Sequence, residues 1–194
     1  MNNWFVSDLH LGHENLILKG YRRNFFSSVK DHDKTILDNL FSTVSKGDNL
    51  YLLGDIFWKY SSEQVKEVMK IFKDHRINIH WILGNHDKLS WTKYGVVKWV
   101  GQIKDISIEG QKINLCHYPM LVANGTHYNS IKLYGHIHHG DGTWKKMQND
   151  KNINKYLNRS VNVNVELHDF KPWSFAEIIE RIKDNNNWDF VKKQ

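Results

Sequence analysis

Apolar residues along this chain recur with two different periods. Trp4-Phe5-Val6, Asn49–Leu53 and Ile77–Leu83 are compact apolar runs bounded by polar residues or glycine, which predicts buried β-strands. Between them the spacing turns helical. Ile36, Leu37, Leu40, Phe41 and Val44 mark a core-facing helix from about Lys30 to Val44, with Gly47 as its C-terminal cap. Val65, Val68, Met69 and Phe72 mark another, opened by a Ser61/Gln64 capping box and ending near Lys73. A short helix is expected over Glu14–Leu18. Strands alternating with helices imply parallel pairing, and in such sheets ligands bind beyond the carboxyl ends of the strands.

Past Asp87 the texture changes. Val96–Val100, Ile103–Ile108, Lys112–Cys116 and Ile131–Tyr134 are short β-type runs, with Glu109-Gly110 a hairpin turn. Ser160–Leu167 alternates as a strand, with Val161, Val163 and Val165 on one face. Pro172 and a Ser174/Glu177 capping box open a last helix through Ile182, and the tail from Asp184 is polar. Residues 141–159 are rich in Lys and Asn and read as a long loop, either beside a binding site or simply solvated. His32 is expected on the outer side of its helix and inert, and His75 and His80 as structural. With no internal repeat or linker, residues 1–194 are expected to form a single α/β domain.

Composition narrows the class. A formal net charge of +6 favours anionic partners such as phosphates or nucleic acid. The lone Cys116 excludes an internal disulfide and fits a reducing cytoplasm. The longest apolar runs are strand-sized and the first residues are unlike a signal peptide, so no membrane partner is expected. The 12 His residues matter only through their positions.

Those positions are strand exits. Asp8 and His10 follow the first strand, and a side-chain period of two aims both at one point. Alone, an Asp-x-His pair reads as a loop accident. Asp55 follows Leu52-Leu53-Gly54, Asn85 and His86 follow Leu83-Gly84, His117 follows Cys116, and His136 and His138 follow Tyr134-Gly135. Metal-capable residues thus recur at every such exit. Imidazole with carboxylate suits Mn²⁺, Fe, Ni²⁺ or Zn²⁺, whereas Mg²⁺ prefers an all-oxygen shell. Asp8, His10, Asp55, Asn85, His117, His136 and His138 are too many for one ion and suit two sharing a carboxylate. Two ions roughly 3.5–4 Å apart are the usual clamp for displacement at phosphorus. Arg22 and Arg23, in the polar Tyr21–Asn24 stretch, either meet a substrate phosphate or are solvated, and His13 is placed near Asp8.

In order and spacing, Asp8-x-His10, Gly54-Asp55, Gly84-Asn85-His86-Asp87, His117 and Gly135-His136-Ile137-His138 resemble the motifs of the calcineurin-like metallophosphoesterases. The opening Ser7-Asp8-Leu9-His10-Leu11-Gly12-His13-Glu14-Asn15 resembles a compact bacterial and phage branch. So does the ending Val163-Asn164-Val165-Glu166, then Lys171-Pro172 and a helix, although that branch often carries Asp near Glu166.

The resemblance implies two packed, mixed β-sheets flanked by helices, a four-layer αββα sandwich. It implies that Asp8, His10, Asp55 and His138 hold one divalent transition-metal ion, Mn²⁺ foremost. Asp55 then bridges to a second ion held by Asn85, His117 and His136. His86 becomes the catalytic imidazole, which Asp87 orients by hydrogen bonding; separately from the resemblance, Asn85, Arg22, Arg23 and His13 are the expected substrate contacts. A metal-bridging hydroxide forms near neutral pH and attacks a phosphate ester, and the leaving alkoxide needs a proton. Phosphodiesters of nucleotide or nucleic-acid type are the favoured substrates. Phosphomonoesters, including phosphoproteins, are the alternative, and a non-catalytic binding protein on the same fold is a third reading. The intact ligand set and His86 speak against that third reading. Oligomeric state stays open.

Overall fold

The computed structural model describes residues 1–95, 97–138, 142, 157 and 159–183. Nine strands are assigned there: β1 (Asn3–Val6), β2 (Asn49–Leu53), β3 (Asn78–Ile82), β4 (Val97–Gly101), β5 (Ile103–Ile108), β6 (Gln111–Cys116), β7 (Ile131–Tyr134), β8 (Ser160–Asn162) and β9 (Trp173–Ser174). They build two mixed sheets, ordered β4-β3-β2-β1-β9 and β5-β6-β7-β8. β1 to β4 pair in parallel and β9 antiparallel to β1. In the second sheet, β5 and β6 form a hairpin across Glu109-Gly110, both at positive φ as a tight primed turn requires. β6, β7 and β8 pair in parallel.

Alternation along β1 to β3 explains why these strands are apolar on both faces. Val6, Leu50, Leu52, Ile79 and Trp81 face a core shared with helices α2 (Val29–Thr43) and α3 (Ser62–Asp74). Phe5, Tyr51, Leu53 and Ile82 face the second sheet, where they meet Ile113, Leu115, Ile131, Leu133, Val161 and Val163. Helix α4 (Phe175–Lys183) closes that inter-sheet core with Ile178 and Ile182. The short helix α1 (Glu14–Leu18) follows the β1 exit. Both expected capping boxes form, at Ser61/Gln64 and Ser174/Glu177.

In parallel register, Val6 lies opposite Leu52, and Leu53 opposite Ile82, so three exits emerge at one edge. Pairing continues past the strands. The amides of Asp8, His10 and Leu11 donate to the carbonyls of Gly54, Asp55 and Ile56 at 2.9, 3.0 and 3.0 Å. Gly135 donates to His117, while Ser7 donates to Val163 and Val163 to Tyr134, which ties the two sheets together at this edge.

Four expectations are corrected. Helix α2 ends at Thr43, and Gly47 serves the turn into β2, donating to the Arg76 carbonyl at 3.0 Å. His32 is fully buried on the inner side of α2. The expected strand over Ser160–Leu167 stops at Asn162, because the Asn162 and Asn164 side chains accept the amides of Asn164 and Glu166 and turn the chain into a 3₁₀ segment. Tyr21–Asn24 is a 3₁₀ turn with Arg22 inside the protein. The polar stretch expected as a loop over 141–159 lies outside the described residues except at 142, 157 and 159, as does the tail from Asp184.

Candidate metal centre

The backbone at the strand exits is unusual. Asp8, His10, Asp55 and His136 have φ of 57, 50, 56 and 68°, in the left-handed region that residues with a Cβ avoid. Such conformations cost on the order of 1–3 kcal/mol each and persist where surrounding structure fixes them. Here the flanking amide ladder fixes them, and the reversal swings the side chains over the strand ends. Two glycines make room. A Cβ on Gly84 would lie 2.3 Å from Asp55 Oδ1, and one on Gly135 would lie 2.4 Å from Asp8 Oδ2.

Two groups of donors result, each with its ligand atoms within 4.8 Å of one another: Asp8, His10 and His138, then Asp55, His117 and His136. In the first, His10 Nε2 and His138 Nε2 approach to 3.2 Å, and both face Asp8 Oδ1, at 3.8 and 3.9 Å. In the second, His117 Nε2 lies 3.4 Å from Asp55 Oδ2 and 3.2 Å from Asn85 Oδ1. Asp55 Oδ2 is also 3.8 Å from His10 Nε2, so one carboxylate oxygen faces both groups.

Hydrogen bonds behind the imidazoles fix which nitrogen faces inward. His117 donates from Nδ1 to the Leu53 carbonyl at 2.8 Å, and His138 from Nδ1 to Glu166 Oε1 at 3.0 Å. Each Nε2 is thereby presented to its group, the usual arrangement behind a metal-bound imidazole. Burial pushes Asp8 up from the ordinary carboxylate range. Burial, then the positive charge of Arg22, pushes His10 well below the usual imidazole value. Burial works against ionisation at Asp55 and His117 too, but their mutual contact wins. Asp55 is lowered, and His117 is held up to about 9. A cation that binds His117 through Nε2 must displace any proton held there. Buried, converging nitrogen and carboxylate donors are the set that divalent transition metals take. The residues present fit such ions.

A family model described as a calcineurin-like phosphoesterase superfamily domain matches residues 1–162. The chain belongs to this superfamily. An uncharacterised protein of Methanocaldococcus jannaschii is 29% identical over 181 residues, 93% of this chain and 90% of that protein. The Gene 66 protein of Mycobacterium phage L5 is 38% identical over 86 residues, 44% of this chain and 40% of that protein. Among solved structures, a protein of unknown function from Aquifex aeolicus superposes with a TM-score of 0.70 at 27% identity, covering 92% of this chain and 98% of that one.

Against the calcineurin-like pattern, the six clustered donors and Asn85 sit together, with His86 beside them. His86 is 36% exposed at its side chain, with Nε2 3.9 Å from Asp55 Oδ2, and its amide donates to Asp55 Oδ1 at 2.9 Å. Asp87 does something other than orient His86. Its Oδ2 accepts from the amides of Gly84 and Asp55 and from Trp81 Nε1, at 2.9, 2.9 and 3.1 Å, and its Oδ1 accepts from Ile56 at 3.1 Å. The carboxylate faces back into the fold and clamps the β3 exit to the β2 exit.

Arg22 is kept from a substrate phosphate by full burial, and it donates to Glu166, His32 and two carbonyls. Arg23 is exposed on the same turn. His13 lies 5.3 Å from the His10 ring and stacks on Trp58 at 3.8 Å, burial pushing it down to about 4. Trp58, Tyr118 and Glu166 went unread as site residues. Tyr118 follows His117 directly, which is the available signal, and Glu166 is marked only as the position near which the resembled branch often carries Asp.

Proposed function

We propose that this protein is a dinuclear metal-dependent phosphodiesterase acting on nucleotide-type or nucleic-acid-type esters. The observation that carries the two-ion reading is Asp55 Oδ2, set 3.4 Å from His117 and 3.8 Å from His10, where it can serve both donor groups. In this reading Asp8, His10, Asp55 and His138 hold one ion, and Asp55, Asn85, His117 and His136 the other. Divalent ions bound there supply an activated water and neutralise charge on the phosphoryl oxygens. His86 stands at the solvent side of the site and gives a proton to the leaving oxygen. Trp58 packs edge-on against His86 at 4.4 Å and limits where that imidazole can go.

The diester preference rests on the site's border and on the basic balance of +6. Tyr118 is 45% exposed, lies 4.8 Å from the His136 ring, and brings its hydroxyl 3.5 Å from Asn85 Oδ1. With the Trp58–His13 stack, it gives the site aromatic surfaces suited to a base attached to the scissile phosphate. Base–aromatic stacking is worth about 1–3 kcal/mol, or roughly 5–150-fold in binding. The test compares bis(p-nitrophenyl) phosphate with p-nitrophenyl phosphate in Mn²⁺, then a nucleotide diester in wild type and Tyr118→Ala. Higher kcat/KM on the diester, and a raised KM for the nucleotide substrate alone in the variant, are expected. Preference for the monoester would replace this reading with phosphomonoesterase activity, and inactivity with Mn²⁺, Ni²⁺, Fe²⁺ and Zn²⁺ would remove the hydrolase reading.

A further inference from the structure

Arg22 is a fully buried cation whose carboxylate partner, Glu166, lies 144 residues away in sequence. Each guanidinium nitrogen holds something different. Nε donates to Glu166 Oε1 at 2.8 Å, Nη1 to the Leu9 carbonyl at 2.8 Å, and Nη2 to the Asp8 carbonyl at 2.5 Å. The oxygen of Glu166 that accepts from Nε also accepts from His138 Nδ1 at 3.0 Å. Nη1 further lies 2.7 Å from His32 Nε2, and because a guanidinium only donates, that imidazole nitrogen accepts. His32 then donates from Nδ1 to Asp33 Oδ1 at 2.7 Å, which seats the arginine from behind.

The consequence is asymmetric. One guanidinium fixes the peptides linking Asp8 to His10 and, through a shared carboxylate, the ring of His138. Those residues are the whole of the first donor group. The second group has anchors of its own, Asp55 at the His86 amide and His117 at the Leu53 carbonyl, and meets the braced turn only through backbone amides, that of His136 on the Asp8 carboxylate and that of His10 on the Asp55 carbonyl. We propose that Arg22 and Glu166 are positioning residues for the first group, acting on the affinity of its ion far more than on that of the second. Planar, forked donation can serve three acceptors at fixed angles, which a lysine ammonium on a flexible stem cannot reproduce. Without the fork, Glu166 loses its seat, His138 loses its fixed tautomer, and the left-handed turn at Asp8 loses its brace.

This inference rests on the two-ion reading, and the binding isotherm separates the two. Mn²⁺ is titrated into metal-free wild type, Arg22→Lys and Glu166→Gln, with bound metal counted by equilibrium dialysis and elemental analysis. Wild type is expected to show two binding steps. In both variants one step weakens roughly 10–100-fold, the usual effect of losing a partner behind a metal ligand, and the other stays within about twofold. Glu166→Gln keeps the shape of the side chain and decides the matter if Arg22→Lys does not fold. Placed in a His117→Ala background, which dismantles the second group, Glu166→Gln should weaken the remaining step by the same factor. Equal weakening of both steps would make the pair a general structural brace, and unchanged steps would give it no part in metal binding; either overturns the assignment. Fewer than two steps in wild type would overturn the two-ion reading first, and this assignment with it.

Discussion

His86 and Asp87 are neighbours in sequence with separable tasks. His86 holds Asp55 through its backbone amide and turns its imidazole toward solvent, so truncating the ring leaves the hydrogen bond to Asp55 in place. His86→Ala should therefore keep wild-type metal content while losing roughly 10²–10⁴-fold in kcat on an alkyl ester, the usual worth of general acid catalysis. A nitrophenyl ester, whose leaving group hardly needs the proton, should lose much less. Equal losses on both esters would point to charge stabilisation instead. Asp87→Ala should behave in the opposite way. Its carboxylate is buried and serves four donors, and a buried donor left unpaired costs about 1–3 kcal/mol. Lower thermal stability and lower metal content are expected, with similar losses on both esters. Full stability and full metal content in Asp87→Ala would contradict the clamp.

At the scale of elements, the site is a set of strand exits laid side by side, and glycine spacing lets neighbouring exits interlock. Gly84→Ala tests this. The new Cβ would lie 2.3 Å from Asp55 Oδ1 and 2.7 Å from the Asp55 amide nitrogen, which cannot swing aside as a flexible side chain would. A cost of about 1–3 kcal/mol, typical of overpacking, is expected, together with weaker binding of both ions because Asp55 faces both groups. Wild-type Mn²⁺ content in Gly84→Ala would argue against the interlock. The same scale explains what was legible in the sequence. An apolar run, a glycine and then Asp or His lie within a few residues of each other, so the exits and their donors could be read locally. Arg22 could not, because its burial depends on Glu166 and a polar run of Tyr-Arg-Arg-Asn reads as surface. Asp87 was misread for a related reason, since its partners include the β2 exit 32 residues away. The asparagines at 162 and 164 hid the end of β8, because side-chain acceptors replaced ladder bonds within an alternating pattern.

Across the whole molecule, the two sheets meet at the site edge, where Asp8 and Asp55 are buried beside the imidazoles. Bound cations would compensate those carboxylates in the folded chain only. At about 100 times its dissociation constant, each ion adds about 2.7 kcal/mol, so stripping two Mn²⁺ ions with a chelator should lower Tm by about 10–20 °C. No helix among the described residues is long and apolar enough to cross a membrane. An unchanged Tm would mean that the donors are already satisfied without ions. The most direct measurement follows hydrolysis of bis(p-nitrophenyl) phosphate while Mn²⁺ is added stepwise to metal-free protein, with bound metal counted at each point. The rate should stay low through the first equivalent and reach its plateau at two ions per chain, and Asp55→Ala should bind neither ion and remain inactive. A full rate at one ion per chain, or a rate independent of bound metal, would contradict a dinuclear phosphodiesterase.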